Sequence, residues 1–153
     1  MEKIAIRPAR PNDAEKITEI AKTAYTPYIP RMRKYPKPML ENYASLIEQG
    51  FCSVLEIGSQ IAGYIVLVPQ SDSLLLDNVG IDPVYQKMGL GTRLLQYAED
   101  MAIKLNCDKI SLYTNEAMTE NLRWYPRHGY QLDEFREVEG YKRAYFSKNL
   151  SAT

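Results

Sequence analysis

The chain has 153 residues, of which 45% are hydrophobic and 25% are charged, a size and balance typical of one globular domain with a single core. Its 19 basic and 19 acidic residues cancel, so no net field would draw the protein to nucleic acid or to an anionic membrane surface. Cys52 and Cys107 lie far apart without metal-ligand spacing, which predicts reduced thiols and no metal site. No segment has the roughly 20 apolar residues of a membrane span, and the N-terminus lacks a signal-peptide run. We therefore expect one soluble, cytoplasmic domain over 1–153 with neither a nucleic-acid nor a membrane partner.

The first fifty residues predict a strand and two helices separated by a loop. Residues 4–7 alternate apolar and polar side chains, as a half-buried strand does. The range 12–25 opens with an asparagine followed three residues later by a glutamate, a capping-box pattern, and continues with helical apolar spacing. Four prolines in the range 26–38 predict a basic, aromatic loop without regular structure. A second helix is predicted over 39–49, with a proline just before it.

Strands and two further helices alternate through the rest of the chain. In order they are strands 51–57, 61–68 and 74–81, a helix over 90–105, a strand over 109–114, a helix over 119–128, and strands 130–138 and 141–147. The helix over 90–105 has the strongest periodicity, with apolar residues at i, i+3 and i+4 through four turns. Hairpins combined with one crossover predict an α/β (α+β) fold with a mixed, mostly antiparallel central sheet of about seven strands and helices on both faces.

The stretch 80–95 passes from a strand through a glycine turn into a helix. Free backbone N–H groups and the helix dipole make such a helix start a ready anion site. In a Walker-type phosphate loop, the last glycine is followed by a lysine and then by a serine or threonine. Here Gly91 is followed by Thr92 and Arg93, so this lysine is missing. A dinucleotide fingerprint requires a third glycine where Leu94 stands. Both of these phosphate-binding classes are therefore excluded.

Two signatures in this sequence resemble the GCN5-related N-acetyltransferase family. The first is the pattern Gln86-x-x-Gly89-x-Gly91, which follows a strand ending in VGIDP. The second is the segment NLRWYPRHGY, in which Tyr125 stands four residues before a Gly-Tyr pair. The order of predicted elements is also that of the family, so the resemblance covers nearly the whole chain. It implies an acyl-CoA N-acyltransferase fold and an acetyl-CoA-dependent N-acetyltransferase.

The resemblance implies that backbone groups of two segments bind acetyl-CoA as co-substrate. The pyrophosphate would lie on the amides of Gln86, Lys87, Met88, Gly89, Leu90, Gly91 and Thr92. The pantetheine arm would add to the strand edge at Val79, Gly80 and Ile81, with the Ile81 N–H facing the thioester oxygen. For the loop, the alternative is an ordinary helix N-terminus whose glycines serve only the turn. For Gly80, two explanations stay open: it eases a bulge, or it packs closely against a neighbour.

Amine acetylation requires one base and one acid. A lysine-like amine, with a pKa of about 10.4, arrives protonated, and the departing thiolate is helped by a proton donor. The resemblance assigns Tyr125 as the general acid, with a packing role beside Trp124 as the alternative. Asp77 is the candidate base, because it lies on the strand that leads into the predicted cofactor site, and Asn78 and Glu116 are the other polar candidates. A merely solvated Asp77 is the alternative.

Candidate residues for the acceptor and for additional cofactor contact follow from the same resemblance. Tyr28, Arg31 and Asn78 are the predicted substrate-binding residues, since rings and guanidinium groups suit an acceptor that carries a carboxylate or phosphate beside its amine. The alternative is that the charged side chains of this loop, including Arg31, are only solvated and bind no substrate. Asn121 lies one helical turn before Tyr125 and is a candidate cofactor contact, with helix capping or a surface role as the alternative.

Three functions remain in view at this point. The favoured one is an N-acetyltransferase that moves an acetyl group to a primary amine, of a small metabolite or amino acid, by direct attack in a ternary complex. The alternatives are a protein acetyltransferase acting on an N-terminal amine or a lysine, and a non-catalytic acyl-CoA-binding module. The resemblance also implies a homodimer.

Overall fold

The computed structural model describes residues 2–150. The strands are β1 (Ile4–Pro8), β2 (Cys52–Ile57), β3 (Gln60–Pro69), β4 (Ser73–Ile81), β5 (Lys109–Asn115), β6 (Gln131–Val138) and β7 (Tyr141–Asn149). The α-helices are α1 (Ala14–Tyr25), α2 (Ile29–Met32), α3 (Tyr43–Glu48), α4 (Leu90–Lys104) and α5 (Thr119–Arg127). The strands form one seven-stranded sheet in the order β1-β2-β3-β4-β5-β7-β6. The predicted fold class and sheet are confirmed.

Residue contacts divide the chain into two compact units. The first unit comprises Met1–Leu67 and Asn78–Tyr97, and the second comprises Val68–Asp77 and Ala98–Thr153. In the first unit, β1 and β2 are antiparallel, and so are β2 and β3, with a bulge in β2. The single domain expected over the whole chain stays a prediction.

The second unit contains the parallel pair of the sheet. The first residues of β4 pair with β5 from Ser73↔Lys109 to Leu76↔Leu112. A parallel pair requires a crossover connection, and α4 occupies the connecting segment as predicted. Antiparallel pairs of β5 with β7 and of β7 with β6 complete this part of the sheet.

The apolar periodicity predicted for 90–105 is confirmed in α4. Five of its apolar residues are almost fully buried, none of them more than 4% exposed: Leu90, Leu94, Leu95, Ala98 and Ala102. Leu105, the last residue of the predicted apolar face, lies after the helix and is 48% exposed. Asn106, with φ +61°, follows the helix in the left-handed conformation that commonly ends helices. No helix within residues 2–150 combines the length and the apolar character needed to cross a bilayer.

The prediction that 26–38 lacks regular structure is wrong. Thr26–Tyr28 and Lys37–Met39 form short 3-10 helices, and α2 lies between them. Each of these three elements has a proline at its first or second position. A proline there loses no hydrogen bond, because the first N–H groups of a helix have no partner within it. The prolines therefore start short helices in this segment.

The second predicted helix is shorter than expected. It begins at Tyr43 because the Asn42 side-chain oxygen accepts the N–H of Ser45 at 3.1 Å, which is an N-cap. Leu40, placed on the apolar face of a helix over 39–49, lies before the helix and is 64% exposed.

The start of α1 also differs from the predicted capping box. Asp13, rather than the asparagine before it, accepts the backbone N–H of Arg10 at 2.7 Å. Its carboxylate also accepts from Arg7 at 2.8 Å, and Arg7 contacts Glu56 of β2 at 3.0 Å. The hydrogen bond from Arg7 holds the pKa of the Asp13 carboxyl below its ordinary value, although burial acts in the opposite direction. This ion cluster ties β1, β2 and the start of α1 together.

Candidate active site

The glycine loop of the first unit connects β4 to α4. Asp82 caps the short helix Pro83–Tyr85 by accepting the N–H of Val84 at 3.0 Å. The chain then turns through residues 86–89, which are exposed, and α4 begins at Leu90. Gly89 has φ +75°, and a Cβ placed on it would meet no atom within 4 Å. An exposed turn thus leads into the first turn of a long helix, an arrangement suited to an anion.

The end of β4 exposes a particular set of backbone groups. The Asp82 N–H donates to the Ala62 carbonyl at 2.8 Å. In an antiparallel ladder the peptide groups alternate in direction, so the N–H and C=O of Ile81 point away from β3. The Val79 carbonyl, two residues earlier, accepts the Tyr25 hydroxyl at 2.7 Å. A contact of the Ile81 N–H with the thioester stays a prediction.

Asn78 lies in a buried hydrogen-bond network of the first unit. Its Oδ1 accepts the Tyr64 hydroxyl at 2.6 Å and the Tyr43 hydroxyl at 3.4 Å, and the residue is 6% exposed. Burial, and then the nearby Tyr25 and Tyr43, raise the pKa of Tyr64 well above its usual value. The Asn78 oxygen thus serves an internal network that links β4 to β3 and α3. A substrate contact by Asn78 stays a prediction.

Gly80 packs against the ring of Tyr64. A Cβ on Gly80 would lie 2.5 Å from Cε1 of that ring, closer than any real contact. Of the two alternatives raised for this glycine, close packing therefore has direct support. The Tyr64 ring occupies the space that a side chain at position 80 would need.

The segment after α1 places two tyrosines and an arginine side by side. The ring centroids of Tyr25 and Tyr28 are 6.1 Å apart, and the Arg31 guanidinium lies 5.0 Å from the centroid of Tyr28. This distance is within cation–π range. The two predicted acceptor residues Tyr28 and Arg31 are thus together, and Tyr25 connects them to the carbonyl of Val79.

Asp77 belongs to a polar and aromatic face of the second unit. Its carboxylate accepts the Tyr113 hydroxyl at 2.7 Å. The Arg143 guanidinium lies 4.0 Å from the centroid of the Tyr113 ring, and the Tyr145 ring is 5.9 Å from it. A groove of about 370 Å³ on this face is lined in part by Tyr113, Arg143 and Tyr145. The sequence offered no sign of this face, because its residues come from separate strands.

Tyr125 is buried among aromatic rings in the second unit. It lies on α5, is 5% exposed, and has ring centroids of Trp124, Tyr130 and Phe146 within 5.0 to 5.8 Å. The predicted packing contact with Trp124 is therefore present. A catalytic role of Tyr125 stays a prediction, and these ring contacts hold its side chain in one place.

Asn121 connects α5 to β5. Its Nδ2 donates to Oγ1 of Thr114 at 3.0 Å, and Met118 lies at 3.7 Å from the same nitrogen. The amide nitrogen of Asn121 thus makes a hydrogen bond within the second unit. This contact differs from both predicted alternatives, helix capping and a surface role. A contact of Asn121 with the cofactor stays a prediction.

Nothing in the sequence indicated a half-buried ionic cluster in the second unit. Lys148 donates to Glu99 at 3.1 Å and to the His128 carbonyl at 3.1 Å, while the Tyr130 hydroxyl donates to Glu99 at 2.9 Å. Burial, and then the charge of Glu99, raise the pKa of Tyr130 far above its usual value. The tyrosine of the Gly-Tyr pair is therefore a structural anchor between α4 and β7.

The family model described as "Acetyltransferase (GNAT) family" matches residues 14–130. The chain belongs to the GNAT acetyltransferase family. Two Bacillus subtilis (strain 168) proteins are similar to this acetyltransferase-family chain. The uncharacterized N-acetyltransferase YvbK is 27% identical over 97 residues, which is 63% of this chain and 61% of YvbK. The uncharacterized protein YxbD is 31% identical over 80 residues, which is 52% of this chain and 49% of YxbD. The chain thus spans about half to three fifths of these relatives.

Solved structures share the GNAT fold with this chain. Ard1 from Thermoplasma volcanium has a TM-score of 0.78 at 17% identity, and the superposition covers 97% of this chain and 99% of the Ard1 chain. The ribosomal-protein-S18-alanine N-acetyltransferase from Escherichia coli has a TM-score of 0.78 at 19% identity, with coverage of 99% and 96%. PaiA N-acetyltransferase from Thermoplasma acidophilum, solved in complex with coenzyme A, has a TM-score of 0.76 at 19% identity, with coverage of 96% and 99%. At these identities the likeness shows the fold.

Proposed function

We propose that this GNAT protein is an acetyl-CoA-dependent N-acetyltransferase that acetylates the primary amine of a small metabolite or amino acid by direct attack in a ternary complex. The observation that carries the proposal is the exposed glycine loop at the start of α4, directly after a strand end whose Ile81 backbone points away from β3. Family membership supports acetyl transfer.

The backbone of residues 86–92 is proposed to hold the pyrophosphate of acetyl-CoA. The open space beside Gly89 admits a close approach of phosphate oxygens, and the N-terminus of α4 adds a favourable dipole. The Ile81 N–H is proposed to donate to the thioester oxygen, where negative charge develops during attack. A fold neighbour solved with coenzyme A supports this choice of co-substrate.

Asp77 and Tyr125 are proposed to move the two protons of the reaction. Asp77 takes a proton from the ammonium group of the acceptor, so that the amine nitrogen can attack the thioester carbonyl. The carbon–sulfur bond then breaks, the attacking nitrogen releases its second proton to water, and the thiolate receives the proton of the Tyr125 hydroxyl. The products are the N-acetyl amine and coenzyme A; Asp77 releases its proton to solvent, and solvent returns a proton to Tyr125. The hydrogen bond from Tyr113 to Asp77 keeps the carboxylate in position.

The acceptor is proposed to carry a carboxylate or phosphate beside its amine. Arg31, held over the Tyr28 ring, offers a planar guanidinium that matches such an anion. Tyr28 and Tyr25 supply ring surface next to it.

A panel of acceptors tests this function. Thiol release from acetyl-CoA is measured with amino acids, phosphorylated amines, uncharged amines and N-terminal peptides. We expect release with small amines that carry an anion, and Arg31→Ala should raise the KM of these acceptors while the matched surface variant Lys22→Ala leaves it unchanged. Release with peptides alone would support a protein acetyltransferase instead. Tight binding of acetyl-CoA without release for any acceptor would support a non-catalytic module and overturn the proposal.

A further inference from the structure

Arg143 lies on the more exposed face of the sheet in the second unit. Ala144 and Phe146 of the same strand, β7, are buried on the other face. Because side chains alternate along a strand, Arg143 and Tyr145 share the more exposed face. Tyr113 of β5 pairs directly with Tyr145, so its ring lies there too. The side chains of Arg143, Tyr145 and Tyr113 line part of the groove of about 370 Å³ described above.

The Arg143 guanidinium is held in position, but no acid balances its charge. Its carbon lies 4.0 Å from the centroid of the Tyr113 ring, and its Nη1 lies 3.5 Å from the Tyr145 hydroxyl. Among residues 2–150, no carboxylate forms an ion pair with it. Its partner across the strand pair is Arg136 of β6, a second cation. Like charges in directly opposite positions destabilise a strand pair, so an anion bound at Arg143 would relieve this repulsion.

Arg136 has a similar ring contact but a different charge environment. Its guanidinium carbon lies 4.4 Å from the centroid of the Tyr145 ring. Its Nη2 lies 3.8 Å from Oε2 of Glu134, and both of these side chains are 55% exposed. Arg136 therefore shares its charge with an acid and with solvent, whereas Arg143 is half-buried and has no such acid. The two arginines thus form a matched pair in which only Arg143 is left to bind an external anion.

Tyr113 connects Arg143 to the proposed base. Its hydroxyl donates to Oδ1 of Asp77 at 2.7 Å, while its ring contacts the guanidinium. With ordinary bond lengths, the path through this ring separates the Asp77 oxygen from the guanidinium carbon by no more than about 10 Å. An α-amino acid spans about 3 Å from its nitrogen to its carboxylate oxygen, and hydrogen bonds of about 3 Å at each end cover the remainder. One small acceptor can therefore contact both groups.

We propose that Arg143 determines the specificity of the acceptor site by binding the carboxylate of an α-amino acid whose amine faces Asp77. This inference rests on the proposed function, because it uses Asp77 as the base. The planar guanidinium makes two parallel hydrogen bonds to a carboxylate, which fixes the orientation of the acceptor. The groove then holds the side chain of the amino acid. This role of Arg143 is separate from the one proposed for Arg31, which belongs to the first unit.

The charges that line the groove favour a carboxylate over a phosphate. Two of these residues are cations and two are anions: Lys109, Arg143, Asp133 and Glu134. The lining therefore has no net positive charge to balance a phosphate group, which carries about 1.5 to 2 negative charges at neutral pH. A carboxylate carries a single charge, which Arg143 alone balances. Of the anionic amines in the proposed function, amino acids thus suit this groove.

The experiment compares amino acids with their amides as acceptors for the wild type and for Arg143→Gln. The amide keeps the α-amine and the side chain but lacks the negative charge of the carboxylate. We expect the wild type to prefer amino acids in kcat/KM, and Arg143→Gln to reduce this preference by a factor of about 10 to 100, the usual value of a charge-assisted hydrogen bond. The lower pKa of the amine in an amide affects both enzymes equally and cancels in this double comparison. Arg136→Gln should keep the preference, and Arg143→Lys should keep part of it.

Two results would overturn the inference while acetyl transfer itself stands. One is an unchanged preference in Arg143→Gln, or an equal loss of preference in Arg136→Gln. The other is better turnover of phosphorylated amines than of amino acids by the wild type. Circular dichroism spectra and thermal melts of all variants establish that they are folded.

A binding measurement tests Arg143 if no acceptor releases thiol, in which case the proposed function fails. Saturation-transfer NMR then compares the same amino acids and amides without turnover. We expect the amino acids, and not their amides, to bind the wild type, and Arg143→Gln to lose this binding. Absence of binding, or equal binding to both proteins, would overturn the inference as well.

Discussion

The hydroxyl of Tyr25, the last residue of α1, donates a hydrogen bond of 2.7 Å to the carbonyl of Val79 near the end of β4. The two residues are 54 positions apart in the chain. The bond fixes the helix that precedes the proposed acceptor residues to the strand proposed to bind pantetheine. One contact therefore joins both proposed binding segments of the first unit.

Tyr25→Phe should weaken the binding of acetyl-CoA as well as lower the stability of the fold. We expect a loss of about 1 kcal/mol in the free energy of unfolding, the usual value for one hydrogen bond, and a several-fold rise in the KM for acetyl-CoA. Urea unfolding and initial rates measure the two quantities. Tyr97→Phe is the matched control, because the Tyr97 hydroxyl bonds Ser53 at 2.9 Å and lies outside the proposed site. An unchanged KM in Tyr25→Phe would argue against pantetheine at this strand end.

Gly89→Ala should impair binding of acetyl-CoA. Gly89 has φ +75°, and a left-handed alanine costs about 1 kcal/mol although space for its Cβ is open. The extra methyl group would also stand where the pyrophosphate is proposed to lie. Gly50→Ala is the matched control, since Gly50 has φ +82° and equally open surroundings in another turn. We expect similar losses of stability in both variants and a weaker Kd for coenzyme A, by calorimetry, in Gly89→Ala alone. Equal affinities would contradict the assigned role of the loop.

Asp77→Asn should slow acetyl transfer without weakening cofactor binding. General bases contribute about 100-fold or more, so we expect kcat to fall by that order while the KM for acetyl-CoA stays unchanged. Glu116→Gln removes the other acidic candidate and should leave kcat as it is. A full loss in Glu116→Gln and none in Asp77→Asn would reassign the base.

Acid should destabilise the fold through Asp13. Because Arg7 lowers the pKa of this carboxyl in the folded protein, its contribution is complete above the ordinary value of about 3.9 and is lost as the pH falls through the lower folded value. Asp13→Asn should cost about 2 kcal/mol at neutral pH and flatten the decline of stability below about pH 4. Urea unfolding from pH 7 to 3 measures this, with the exposed Glu48→Gln as control. An unaltered pH dependence in Asp13→Asn would contradict the assignment.

Patterns along the chain predicted most of the fold. The strands and α4 follow from local alternation and periodicity, and the glycine loop is visible because its glycines and the following helix are contiguous in sequence. The segment 26–38 was mispredicted because proline excludes a helix interior but favours a helix start. Counting the prolines in a segment does not distinguish these two effects of proline.

Long-range contacts are the part that the sequence did not reveal. Asn78, Tyr64 and Tyr43 meet across separations of up to 35 residues, and Tyr113 meets Asp77 across 36. No local sequence pattern indicates which residue a tyrosine hydroxyl will bond, so these contacts are seen only in the folded structure. The contact of the Tyr125 ring with Phe146 of β7 has the same origin.

The central claim is that Tyr125 supplies the proton to the departing thiolate of acetyl-CoA. Its most direct test is a comparison of Tyr125→Phe with Tyr130→Phe, which removes a neighbouring hydroxyl from the same aromatic cluster, in an assay of amine-dependent thiol release beside the Kd for coenzyme A. We expect Tyr125→Phe to lose about 100-fold or more in kcat with an unchanged Kd, and Tyr130→Phe to lose stability but little kcat. An active Tyr125→Phe, or equal losses of kcat in the two variants, would contradict the claim.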